Sequence, residues 1–271
     1  MGPGHKDGNA GDTALCGGVQ PKILPHCKEY FDIQLLFASK YEELSGLDIA
    51  EVLRDYTNIY RNLDLNKSGD DGCKPSWSEF MEGFGRAQSR SQWTYDFYLR
   101  HNIIRSLQEK QYFGCFSYEY RSERRAVRLH FENLDNGKFG PLSYIRKEER
   151  MADLQRLFND ASQRHSQANK VIGETWLFHV EAYRRLFPQE YISTAKEVNA
   201  GIFDALALWG QFLDRYKQIR PDLMEKFIEC VGRQTTLDGL KRCFPYCVFA
   251  TEAPIEHFYK FYNLRGADTE S

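Results

Sequence analysis

Residues 112–133 read YFGCFSYEYRSERRAVRLHFEN, and the fold turns on them. Through 112–120 the side chains alternate, with Phe116, Tyr118 and Tyr120 on one parity and Cys115, Ser117 and Glu119 on the other. After a polar link at 121–125, the run 126–133 alternates again, setting Val127, Leu129 and Phe131 against Arg128, His130 and Glu132. Successive side chains of a strand point to opposite faces, so a period of two on both sides of a short polar link predicts an antiparallel hairpin. The flanking segments carry the helical period instead. The expected fold is α+β: a helix-rich single domain with a central antiparallel hairpin extended into a small mixed sheet.

Upstream, residues 1–25 scatter Gly, Pro, Asn and Asp without period and read as a mobile tail. A helix is expected from Lys28. Ser45 and Asp48 then form a capping-box pattern ahead of a stripe of Ile49, Val52, Leu53, Tyr56, Ile59 and Tyr60. Residues 64–75 interrupt the pattern with Gly69, Gly72 and Pro75. Ser76 and Glu79 open the next helix, and Trp93, Phe97, Ile104 and Leu107 form a further stripe.

Downstream of the hairpin, 134–141 is a loop and 145–163 a helix burying Met151, Leu154, Leu157, Phe158 and Ala161. A strand is expected at 171–178 and a short helix at 181–187, stopped by Pro188. Ile202, Leu206, Trp209, Leu213 and Tyr216 predict another helix, Pro221 starts the next, 246–251 reads as a last strand, and Pro254 suits the first turn of a closing helix. No stretch is long or polar enough to separate domains. The division is therefore a tail, 1–25, and one α+β domain, 26–271, within which a helical subdomain at 26–110 would pack on a mixed core at 111–271.

The chain has 271 residues with 36 Lys and Arg against 38 Asp and Glu, so no global field draws it to nucleic acid or an anionic membrane. No apolar run reaches the roughly 18 residues of a membrane-spanning helix. The start of the sequence lacks an apolar stretch after a basic one, so the expected location is the cytoplasm. Seven cysteines, an odd number with no C-x-x-C pair, favour reduced thiols. Cys230, Cys243, Cys247 and His257 lack the knuckle spacing of zinc and fit small buried side chains, so no metal is expected. Residues 64–70 copy half of a calcium loop, but Pro75 stands where a bidentate Glu is needed. His130-x-Glu132 opens like a zinc deaminase without the matching cysteine pair. Phosphate-loop, dinucleotide, nucleophile-elbow and zincin motifs are absent, and no cofactor is named by the residues.

The end of the hairpin carries the chemistry. Arg128, His130 and Glu132 share a face, with Asn133 at its end. His130 is the candidate general base, Glu132 the acid that orients it, Arg128 an anion contact and Asn133 a polar anchor. Tyr118 and Trp176 would supply an apolar wall. Centring the turn on Glu123 would set Tyr118 and Phe116 across from this face. Arg121, Arg124, Arg125 and Arg128, followed by Arg146, Lys147 and Arg150, could grip a phosphate or carboxylate. The interleaved Glu119, Glu123, Glu148 and Glu149 equally describe an exposed, salt-bridged surface. His179 shares a helical face with Trp176 and Tyr183 and reads as a core residue.

The order hairpin, helix, strand, helix in the middle of the chain resembles the core of the acetyltransferase-like folds. That resemblance implies a cofactor pyrophosphate held on backbone N–H groups at a helix start. The usual Arg/Gln-x-x-Gly-x-Gly/Ala loop is not present; its counterpart would be 137–144. Two functions follow. The first is a small-molecule enzyme, of transferase type (acyl transfer), with its site at the end of the 126–133 strand. The alternative is a non-catalytic protein that binds a protein partner, a second copy of itself or a small molecule through an aromatic-rich surface, for which 16 Tyr and 19 Phe are the signal.

Overall fold

The hairpin forms as β1 (Phe116–Arg121) and β2 (Ala126–Phe131), paired antiparallel. The link is a short 3-10 turn, Ser122–Arg124, closed by Arg125 in the left-handed region at φ 49°. Arg121 pairs with Ala126 and Tyr118 with Leu129, which centres the turn between Glu123 and Arg124 rather than on Glu123. Because the side-chain period is two, this small offset decides the faces. Phe116, Tyr118 and Tyr120 join Phe131, Leu129 and Val127 on one face; Ser117 and Glu119 join His130 and Arg128 on the other.

The computed structural model describes residues 25–63, 77–102, 111–135, 137–198 and 206–264. The expected tail (apart from Pro25), the half calcium loop at 64–75, and Ile104, Leu107 and Ile202 lie outside these described residues. Ahead of the hairpin stand α1 (Lys28–Ser45), α2 (Ile49–Asp55), α3 (Ile59–Asn62), α4 (Trp77–Arg86) and α5 (Arg90–Asn102). After it come α6 (Lys147–Arg164), β3 (Lys170–Thr175), α7 (Glu181–Arg184), α8 (Gln189–Ile192), β4 (Lys196–Glu197), α9 (Pro221–Gly232), α10 (Leu237–Lys241), β5 (Phe249–Pro254) and α11 (Ile255–Phe261). The α+β class is thus observed, with a five-stranded mixed sheet in the order β1-β2-β3-β5-β4. β1 lies on one edge, β3 runs parallel to β2 after the α6 crossover, and β5 runs antiparallel to β3 and β4. No helix among the described residues is long and apolar enough to cross a membrane.

Two apolar cores result. On one face of the sheet, Phe116, Val127, Leu129, Val171 and Ala253 meet Leu154, Leu157, Phe158 and Ala161 of α6 and Ile255 and Phe258 of α11. The second core is helical: Phe31, Phe37, Val52, Ile59, Phe80 and Phe97 from the first five helices enclose Trp209, Phe212, Phe227 and Phe244 from the C-terminal third. Each buried ring contributes roughly 1.5–3 kcal/mol over an exposed one, so these aromatics supply much of the cohesion of both cores.

Several local expectations shift for identifiable reasons. The N-cap of α2 is Asp48, which accepts from Ala50 N at 2.7 Å, while Ser45 Oγ accepts from Leu47 N as α1 ends. The stripe from Ile49 to Tyr60 breaks at Thr57, whose hydroxyl donates to Leu53 O and accepts from Ile59 N. The strand expected at 171–178 stops at Thr175, where Oγ1 accepts from Leu177 N and opens the 3-10 turn Trp176–His179. Leu206–Phe212 is 3-10 rather than α-helical. The last strand lies at 249–254, because Pro254 still pairs across from Lys170 before it starts α11. The expectation of reduced thiols fails for Cys230 and Cys243, which form a disulfide joining α9 to the end of α10 with Cα atoms 5.4 Å apart. Among the described residues Cys27, Cys115 and Cys247 are free thiols.

Candidate functional site

The face of β2 that carries Arg128 and His130 is a lattice of ion pairs. Arg128 reaches Glu174 on β3 at 3.0 Å, Arg124 and Lys170 share Glu252 on β5 at 3.3 and 3.0 Å, and Arg121 holds Glu119 at 2.9 Å. His130 Nε2 stands 3.8 Å from Glu119, so its carboxylate neighbour comes from across the hairpin. Exposed pairs of this kind contribute about 0–1 kcal/mol each. The opposite face takes Tyr118, which donates to Asp160 on α6 at 2.7 Å; burial and that carboxylate push its phenol well above the ordinary range. Trp176 lies beyond β3, stacked on Tyr246. The six candidates are therefore spread over four places: Arg128 and His130 on the ion-paired face, Tyr118 against α6, Trp176 beside Tyr246, and Glu132 with Asn133 beyond the end of β2.

Glu132 and Asn133 continue past the end of β2 and mark the fourth place. Glu132 N bonds Cys115 O at 2.9 Å, extending the ladder by one rung. Its carboxylate accepts from Tyr112 Oη at 2.9 Å and lies 3.7 Å from Lys217 Nζ. Asn133 donates to Arg215 O at 2.7 Å and accepts from Asp135 N, fixing the chain's exit from the sheet. Between this exit and the start of α6 opens a cleft of about 370 Å³, lined by Tyr112, Cys115, Asp135, Arg146, Glu149 and Arg150 among others.

The cleft is built from the first turns of α6. Arg146 occupies the N-cap position of the helix and Arg150 follows one turn later, so both side chains rise on the same side. Arg146 Nη2 lies 3.0 and 2.9 Å from the two oxygens of Asp135, whose Oδ1 also accepts from Gly137 N. Arg150 is buried to 3% side-chain exposure; Nη1 donates to Cys115 Sγ at 2.9 Å and Nε stands 3.1 Å from Asp153. Glu149 bridges the two arginines, bonding both guanidinium groups with a side chain that is 49% exposed.

Electrostatics divide these groups into fixed and movable. Burial opposes ionisation of Glu149, but Arg146 and Arg150 outweigh it and hold the carboxyl below its ordinary value. Burial pushes Asp153 up, with Arg150 and Arg156 pulling the other way. Burial likewise pushes the Cys115 thiol up against the pull of the Leu134 backbone and Arg150, so Cys115 is a neutral acceptor for Arg150 rather than an activated thiolate. Two guanidinium groups held on one side of the start of α6 can grip a carboxylate or phosphate, and Glu149 is the carboxylate they grip.

Among the described residues no three His, Cys, Asp or Glu side chains converge as a metal site. Comparison with known proteins finds no matching family, curated protein or solved structure. In the sequence, Arg146 and Arg150 belong to a long basic stretch, and their spacing of four on a predicted helix is the signal for a shared grip. Cys115, Asp135 and Tyr112 carried no such signal, since they reach the cleft through the turn that precedes β1 and the exit from β2.

Proposed function

We propose that the protein binds a small molecule bearing a carboxylate or phosphate group in the cleft at the start of α6. The anionic group takes the position that Glu149 holds between Arg146 and Arg150. The observation that carries this is the contrast between a buried Arg150 and a half-exposed Glu149, whose carboxylate can move into water as an incoming anion takes its place. The exchange keeps both guanidinium groups paired, so it avoids the cost of an orphaned buried charge. Glu149 sets a threshold: the ligand must outbid an internal carboxylate, which favours multivalent anions over a single weak acid.

A transfer reaction with His130 as base, its carboxylate neighbour being Glu119 at 3.8 Å, is the second reading. The two are separated by calorimetric titration with inorganic pyrophosphate. Arg146→Gln is expected to weaken binding by about tenfold, the loss of one charge-assisted bond, and His130→Gln to leave it unchanged. Equal binding by Arg146→Gln and the unsubstituted chain contradicts the proposal.

A further inference from the structure

Cys247 and His179 are 68 residues apart and meet across the end of the sheet, with Sγ 3.3 Å from Nε2. The local structure explains why. Thr175 caps the 3-10 turn that ends on His179, and Cys247 lies two residues before β5, which pairs with β3. The imidazole packs at 4.9 Å against both Tyr246 and Phe249, and Tyr246 in turn stacks on Trp176 at 5.6 Å with the rings nearly parallel. The thiol is half-buried and the imidazole exposed, so an aromatic wall flanks a sulfur that a ligand can approach. Burial first, and then the Glu197 carboxylate on β4, push the thiol above its ordinary value. Such a thiol rests protonated and needs a base at the moment of attack; His179 Nε2 is in place to serve when the ring carries its own proton on Nδ1.

We propose that Cys247 and His179 form a nucleophilic pair that takes an acyl group from an activated ester, the aromatic wall of Trp176 and Tyr246 receiving the flat part of the substrate. In the step, the Cys247 thiol passes its proton to His179 Nε2 while Sγ bonds the carbonyl carbon. The carbon–oxygen bond of the ester breaks, and the proton returns from His179 to the departing oxygen. The products are S-acyl Cys247 and an alcohol or phenol, with no change of oxidation state.

The test uses the full chain and p-nitrophenyl acetate at neutral pH, following nitrophenolate release and locating the acetyl group by peptide mass spectrometry. The acetyl group is expected on Cys247. Cys247→Ser removes it, and prior alkylation of Cys247 in the unsubstituted chain does the same. His179→Gln slows the reaction by about 100-fold, the usual share of a general base, while Glu197→Gln speeds it because the thiol then ionises more readily. Cys27→Ser leaves the rate unaltered, which ties the reaction to Cys247 and not to free thiols in general. Acetyl groups spread over Cys27 and surface lysines, or a rate indifferent to His179→Gln in a chain that melts normally, overturn the proposal and leave a structural hydrogen bond.

Discussion

At Gly114 a single backbone angle sets the floor of the cleft. Its φ is +59°, and a methyl group there would run into the Asp153 carboxylate that positions Arg150 and Arg156. Gly114→Ala is expected to lose about 1–3 kcal/mol, from left-handed strain together with displacement of a buried carboxylate; urea unfolding measures it, and undiminished stability would mean that Asp153 has room to retreat. At this scale the sequence was partly legible. The spacing of Arg146 and Arg150 was visible, as was the polar end of β2 at Glu132 and Asn133. The bond from Arg150 to Cys115 was not, because the two are 35 residues apart and nothing local links a thiol before one strand to a guanidinium on a later helix.

Elements were easier to read than their offsets. The hairpin, α6 and the start at Pro221 follow from local periodicity and proline chemistry, and each is observed, whereas the helix expected at 181–187 already ends at Arg184 and Pro188 caps α8 instead. What periodicity cannot supply is register. Half a residue in the turn of β1 and β2 moved Tyr118 to the α6 side and left Arg128 and His130 among ion pairs. Arg125 in the left-handed region makes that turn, a conformation that its side chain does not announce. The disulfide was illegible for a related reason: a separation of 13 residues does not show that the end of α10 folds back against α9. Replacing Cys230 and Cys243 together by serine is expected to cost about 2–3 kcal/mol for a loop of this length. Thermal unfolding without reductant checks it; equal melting of the two chains would show that the helical core holds these ends together unaided.

Across the whole molecule, the chain crosses between its two cores several times. Residues 208–248 complete the helical core after the chain has built most of the sheet core, and residues 253–262 then return to the sheet. Asn133 with Arg215, Arg215 with Lys138, and Trp176 with Tyr246 tie the two regions at their boundary. Residues 26–271 are therefore expected to unfold in one transition, with tryptophan fluorescence and far-ultraviolet circular dichroism coinciding. Two separate transitions would show cores of independent stability. This interleaving also sets the cleft: Asn133 reaches Arg215 on one side while Arg185 bonds Leu142 O on the other, so the chain from the β2 exit to the start of α6 is held at both ends.

Affinity for inorganic pyrophosphate in Glu149→Gln tests most directly whether Glu149 fills a receptor meant for an external anion. Removing the internal competitor while leaving Arg146 and Arg150 in place should tighten binding by about tenfold over the unsubstituted chain, the worth of one charge-assisted bond. Binding that is unchanged or weaker in Glu149→Gln, in a chain that remains folded, would contradict it and make Glu149 an ordinary partner in a structural ion-pair network.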